Sequence, residues 1–169
     1  SGNDAATAIA EYVGGSEDAF VNMMNRRAQE LMANGTHFMN PHGLHDDNHY
    51  TTAYDLYLIF NECIKHEDFV NIIQSEAYTA HYTDVDGNSQ EAMFTPTNLY
   101  AQGEVDVPEN VTIVGGKTGT TDEAGYCLIL MEKDSSDNPY ISIVMGASEK
   151  PVLYEDMTSL IEAIPSGQQ

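Results

Sequence analysis

Hydrophobic positions recur along the first half of the chain with helical spacing. Residues 4–13 place Ala5, Ala8, Ile9, Tyr12 and Val13 on one face, with Asp4 able to cap and Gly14-Gly15 ending the run. Ser16-Glu17-Asp18 opens a second helix with acids in its first turn. Its apolar stripe is Phe20, Val21, Met24, Ala28 and Leu31, ending near Met32. Asn34 to Asn48 is rich in turn pairs: Asn-Gly, Asn-Pro, His-Gly and Asp-Asp. A third helix is predicted from Thr52, with Ala53, Leu56, Ile59, Phe60 and Cys63 on one side, and a short fourth one over about Glu67 to Gln74.

The period then shifts. Glu76 to Tyr82 alternates, Asp84 to Asn88 reads as a turn, and Gln90 to Phe94 resumes the alternation, which is a hairpin pattern. Val111 to Val114 is a β-branched run stopped by Gly115-Gly116. Tyr126 to Glu132 and Tyr140 to Gly146 are continuous apolar runs suited to central strands, and the polar stretch Asp134 to Pro139 joins them. Met157 to Ile164 predicts a closing helix, and Ser166 to Gln169 a frayed tail. Helices followed by antiparallel strands and one last helix make an α+β domain, with a helical part at 1–75 and a sheet part with its helix at 76–164.

Composition narrows what such a domain can do. The 169 residues hold 27 acidic and 6 basic side chains, a formal charge of −21. Phosphate binding needs clustered cations, so nucleic acid is excluded as a partner. At 41% hydrophobic the chain can build a core. It contains no apolar run of membrane-spanning length. Cys63 and Cys127 are too few for a disulfide framework and read as two free, buried thiols. The chain opens at Ser1 without Met, already in mid-pattern, and reads as a piece of a longer one.

Two short motifs carry candidate chemistry. Lys117-Thr118-Gly119-Thr120 follows a β-branched strand and precedes an apolar one. A lysine there supplies a fixed positive charge, threonine hydroxyls can bind a carboxylate, and Gly119 lets a substrate backbone come close. The spacing is not that of a phosphate loop. Ser1-Gly2-Asn3 sets a hydroxyl and an amide two residues apart before a helix. Other patterns are weaker. His42, His45 and His49 lie near Asp46 and Asp47 but on a turn-rich loop, without a metal-binding helix pattern. Asp84, Asp86 and Asn88 alternate as in a calcium loop, yet Ser89 and Thr95 stand where Gly and Glu are needed. Ser1 as an N-terminal nucleophile has no other support in the chain.

Taken together, Ser-x-Asn and Lys-Thr-Gly are two of the three motifs of the penicillin-interacting serine enzymes. The stretches 1–31, 36–56 and 115–128 resemble, in order, the serine-type D-alanyl-D-alanine carboxypeptidases, the low-molecular-weight penicillin-binding proteins. The resemblance implies a β-lactamase/transpeptidase-like fold: an antiparallel sheet beside a helical subdomain, with the active site between them. It implies peptidoglycan stem peptides ending in D-Ala-D-Ala as substrate, β-lactam antibiotics as ligands, an extracytoplasmic location, and neither cofactor nor metal. Ser1 would relay a proton to the leaving amine, Asn3 would hold the substrate amide, and Lys117 would supply the positive potential. Thr118 and Thr120 would bind the terminal carboxylate beside Gly119, and a backbone N–H near Thr120 would serve the oxyanion hole.

The sequence departs from the family at two places. The lysines are Lys65, Lys117, Lys133 and Lys150, and three residues before them stand Glu62, Val114, Leu130 and Ala147. The nucleophile motif Ser-x-x-Lys is therefore absent from these 169 residues. The expectation is a partial domain lacking the N-terminal strands and nucleophile helix, unable to form an acyl-enzyme alone. The alternative is a non-catalytic peptidoglycan-binding module. The second departure is that Gly146 to Asp156 holds no arginine to clamp a carboxylate, only Lys150.

Overall fold

The computed structural model describes residues 2–166. Four helices come first: α1 (Asn3–Gly14), α2 (Glu17–Glu30), α3 (Ala53–Cys63) and α4 (Glu67–Ile73). A hairpin of β1 (Tyr78–Thr83) and β2 (Ser89–Phe94) follows, then the short α5 (Leu99–Gln102). Three antiparallel strands in the order β3-β4-β5, β3 (Val111–Thr121), β4 (Gly125–Asp134) and β5 (Pro139–Ala147), form the main sheet, and α6 (Lys150–Glu162) closes the chain.

Local chemistry sets the boundaries. Gly15 ends α1 in the left-handed region at φ +80°, where glycine is unstrained. Ser16 caps α2 by accepting from the Ala19 amide at 3.2 Å, and Thr52 caps α3 by accepting from Asp55 at 3.1 Å. The β1–β2 and β4–β5 loops are each closed by an aspartate that accepts from backbone amides two and four residues on. Asp84 receives Asp86 and Asn88, and Asp134 receives Ser136 and Asn138.

The core lies between the sheet and α6. Leu128 and Leu130 on β4 meet Met157 and Ile161 on α6, all fully buried. Tyr100 and Tyr154 pack edge to face beside them. The Tyr154 hydroxyl accepts from the Leu99 amide at 2.9 Å, and the Tyr100 hydroxyl shares a hydrogen bond with Thr158 at 2.7 Å. Asn110 donates to the carbonyls of Ile161 and Ile164, which satisfies the end of α6 and ties it to the start of β3.

Several elements differ from the sequence expectation. β3 does not stop at Gly115-Gly116 but runs on to Thr121, with a register shift between Ile113 and Gly115. The glycine there answers a close approach: a Cβ on Gly115 would lie 2.1 Å from the Ile73 carbonyl oxygen at the end of α4. α6 begins at Lys150 rather than Met157, with a proline in its first turn, a position that needs no amide donor. The one-turn α5 is too short to show a period. Both cysteines are free but only partly buried, not buried as expected. Residues 167–169, expected to fray, lie outside the described residues.

Glu132 is an acid inside this core. It sits on β4 in line with Leu128 and Leu130, is fully buried, and neither carboxylate oxygen has a hydrogen-bond partner of good geometry. Burial pushes its pKa from 4.5 up to about 8, tempered by the nearby Ser142. Native Glu132 therefore keeps its proton where the unfolded chain has lost it. Its destabilising contribution is absent below about pH 4.5, grows as pH rises and levels off above about 8, reaching several kcal/mol by linkage. Glu132→Gln is expected to flatten the fall in stability between pH 5 and 8 and to raise the midpoint of urea unfolding at pH 8; an unchanged pH profile would assign the acid no such role.

Candidate active site

β3 is an outer strand of the main sheet, with β4 on one side and no strand on the other among the described residues. Its C-terminal half carries Lys117, Thr118, Gly119 and Thr120, and all four line a cavity of about 670 Å³. Asn3, the first residue of α1, lines the same cavity although 114 positions separate it from Lys117. Ser1, the other residue of its motif, lies outside the described residues. The structure thus brings Asn3 and Lys117 to Thr120 together.

The electrostatics favour an anionic occupant. The Lys117 ammonium donates to the Thr118 carbonyl, and burial pulls its pKa below the ordinary lysine value. The Thr118 hydroxyl shares a hydrogen bond with Thr97. A Cβ on Gly119 would meet nothing within 4 Å, so the strand is open there. Lys150, at the start of α6, also lines the cavity. Three of the four cations elsewhere are engaged: Arg27 with Glu30 and Glu62, Lys65 with Glu62, and Lys133 with Asp137. Arg26 and Arg27 are not among the lining residues.

The opposite wall is the loop after α2, whose position in the cleft the sequence did not disclose. Asn40 closes its turn by accepting from Gly43 at 2.7 Å and donating to Leu44 at 2.9 Å. Asn25 on α2 exchanges two hydrogen bonds of 2.8 Å with the backbone of Phe38. Thr36 donates to the buried Asp55 of α3 at 2.7 Å. These ties hold Asn40, Pro41 and His42 against the cavity beside His49. His49 accepts from the Met39 amide at 3.1 Å through Nδ1, so the neutral ring keeps its proton on Nε2, and burial lowers its pKa. The Asn-Pro-His-Gly string announced a tight turn, but turn chemistry does not say what a turn faces. Tyr126 and Cys127 on β4 also line the cavity and carried no sequence signal for it.

The histidines do not assemble a metal centre among the described residues. His42 faces Glu17 at 3.8 Å, whereas His45 lies 3.3 Å from Asp47 and 3.9 Å from Glu123. Asp84 spends its oxygens on its own turn and on the Gln90 side chain.

Known proteins resemble this chain in sequence and in fold. Residues 1–149 match the family model described as D-alanyl-D-alanine carboxypeptidase. The chain is 33% identical over 162 residues to the D-alanyl-D-alanine carboxypeptidase DacF of Bacillus subtilis, covering 96% of this chain and 39% of that protein. Its identity to the D-alanyl-D-alanine carboxypeptidase DacC of Escherichia coli is 30%, covering 95% of this chain and 37% of the relative. The chain therefore spans well under half the length of these curated relatives. Among solved structures, the Streptomyces K15 DD-transpeptidase superposes with a TM-score of 0.83 at 26% identity, over 94% of this chain and 61% of that one. The carboxypeptidase DacD of Francisella tularensis gives a TM-score of 0.80 at 24% identity, a likeness of fold. With its antiparallel sheet beside a helical part and a Lys-Thr-Gly strand facing the start of α1, this chain belongs to the D-alanyl-D-alanine carboxypeptidase family.

Proposed function

We propose that these 169 residues form the Lys117 wall of the catalytic cleft of a serine D-Ala-D-Ala carboxypeptidase acting on peptidoglycan stem peptides. The observation that carries the reading is the meeting of Asn3 with Lys117, Thr118, Gly119 and Thr120 on one cavity. In this reading the stem peptide lies along the open edge of β3 as an added strand. Its terminal carboxylate accepts from Thr118 and Thr120 in the field of Lys117, and Lys150 adds a second positive charge. The Asn3 amide holds the substrate amide, and Ser1 relays the proton to the departing amine. The nucleophile and its base come from a Ser-x-x-Lys motif outside these 169 residues, on the stretch that supplies the rest of the fold.

That proposal accounts for the charge pattern. Lys117 and Lys150 stand in the cleft of a chain with only six cations. An acidic surface around a cationic cleft suits an extracytoplasmic protein that remains soluble and draws the carboxylate end of its substrate to one place. No helix of the described residues is long and apolar enough to cross a membrane. The absence of Ser before any lysine at the required spacing also favours a second reading, a binding module that holds peptidoglycan without turnover.

Fluorescent penicillin separates the two. The 169-residue chain alone is expected to take no covalent label. A protein that joins it to a Ser-x-x-Lys segment is expected to be labelled and to release D-Ala. A label on the chain alone sinks the first half of this expectation, and binding without D-Ala release in the joined protein favours the module. In that protein, Lys117→Ala is expected to cost about 10²–10³ in kcat/KM, the scale of losing a preorganised electrostatic contact. Lys150→Met is expected to act mainly on KM, by about two- to fivefold, the size of an exposed ion pair.

The pH profile carries the sign of the Lys117 shift. A lowered pKa means the ammonium loses its proton as pH rises toward a value below 10.5. The alkaline limb of kcat/KM is therefore expected below the ordinary lysine range and is expected to move upward in Lys117→Arg; an alkaline limb indifferent to that substitution would remove Lys117 from the role.

A further inference from the structure

We propose that the Nε2–H of His49 is a substrate-binding donor, which holds a carbonyl oxygen of the stem peptide on the side turned away from β3. This deepens the carboxypeptidase reading and rests on it.

The ring is held in one orientation with one nitrogen engaged. Nδ1 accepts from the Met39 amide at 3.1 Å, and the ring meets Phe38 edge to face, with centroids 5.7 Å apart. Phe38 is itself fixed, because Asn25 bonds both its amide and its carbonyl. An acceptor at Nδ1 leaves the proton of the neutral imidazole on Nε2. Burial pulls the pKa of the ring down, so the neutral form prevails near pH 7. The Nε2–H has no hydrogen-bond acceptor among the described residues. Nor is it sealed in the interior, since the buried side-chain polar atoms without a partner there are the two Glu132 oxygens. Nε2 therefore opens on space, and the space that His49 borders is the cleft. An occupant that displaced water from this donor without offering an acceptor would leave it unsatisfied, at a cost of about 1–3 kcal/mol.

The position of the donor suits a peptide on β3. A strand edge satisfies one side of an extended peptide, and the carbonyls of alternate residues turn to the other side. The wall they face is the segment after α2. Its Asn40 is committed by both ends of its amide to its own turn. His42 accepts from the Leu44 amide at 3.2 Å through Nδ1, and its Nε2 lies 3.8 Å from Glu17. Phe38, Pro41 and Leu44 present mainly carbon to the cavity. His49 is the side chain of this segment whose donor is left for a ligand. Being neutral, it matches a carbonyl oxygen, whereas the terminal carboxylate goes to the ammonium of Lys117.

The test uses the protein that carries these residues together with its Ser-x-x-Lys segment, and a diacetylated L-Lys-D-Ala-D-Ala tripeptide as substrate. Two substitutions separate the two ring nitrogens. The asparagine amide oxygen can stand where Nδ1 stands and keep the tie to Met39, and the glutamine amide nitrogen can reach the place of Nε2 and keep the donor. His49→Asn is expected to lower kcat/KM about three- to tenfold, the worth of one hydrogen bond, with the loss in KM because the acceptor is not the reacting carbonyl. His49→Gln is expected to restore most of that loss. Stability is expected to run the other way: the urea midpoint falls in His49→Gln, which loses the Met39 tie, and holds in His49→Asn. A kcat/KM kept in His49→Asn, or lowered equally by both substitutions, overturns the proposal. If the unsubstituted protein hydrolyses no peptide, the carboxypeptidase reading fails separately, and equilibrium dialysis of the same tripeptide decides. Weaker binding in His49→Asn than in His49→Gln upholds the donor role, and equal binding or the reverse order overturns it.

Discussion

The contact on which the site depends is the passage of β3 across the end of α4. At Gly115 the strand comes so near the Ile73 carbonyl that no side chain fits between them. The register shift at Ile113 and Gly115 falls at the same place, two residues before Lys117. The glycine, the bulge and the helix end together set the position at which the strand enters the cleft. Behind it, the pairing of β3 with β4 and the burial of Leu128 and Leu130 against α6 make that position rigid. Lysine at 117 is then a charge on a fixed support, which is what an electrostatic role requires.

The charge distribution works in the same direction. Acidic side chains outnumber basic ones 27 to 6, and the paired cations Arg27, Lys65 and Lys133 are bound to neighbouring carboxylates away from the cleft. Lys117 and Lys150 make the cleft locally different from the surface around it. Desolvation weakens the hold of Lys117 on its proton but strengthens its field on whatever anion enters. Glu132 is the opposite case, an ionisable group buried in the core without a well-formed hydrogen bond to its carboxylate, neutral over much of the range in which exposed carboxylates are charged.

Elements with a long, clean period were legible in the sequence. The first four helices, the hairpin and the apolar strands β4 and β5 follow from spacing and turn residues alone. Gly115-Gly116 misled because a glycine pair usually interrupts a strand, whereas here it permits a close crossing that only the tertiary structure reveals. α6 starts at Lys150-Pro151, where proline is compatible with a helix only because a first turn needs no amide donor, and α5 has too few residues for any period. The motif residues Asn3 and Lys117 to Thr120 could be named because Ser-x-Asn and Lys-Thr-Gly together match two motifs of a known enzyme family, although neither is distinctive alone. Asn40, His42, Thr97 and Tyr126 could not, since a turn residue or a strand aromatic gives no sign of the cavity it borders.

The far end of the β1–β2 hairpin offers an engineering opportunity. Val85 stands wholly in solvent, and Asp84 closes the turn around it using only atoms of that turn and of Gln90. The tip holds its shape without help from the body of the protein. A fluorophore or short epitope grafted at Val85 would therefore ride on an arm whose base, at Tyr78 and Phe94, lines a recess shared with Lys117 and Thr118, while leaving the α6 core untouched.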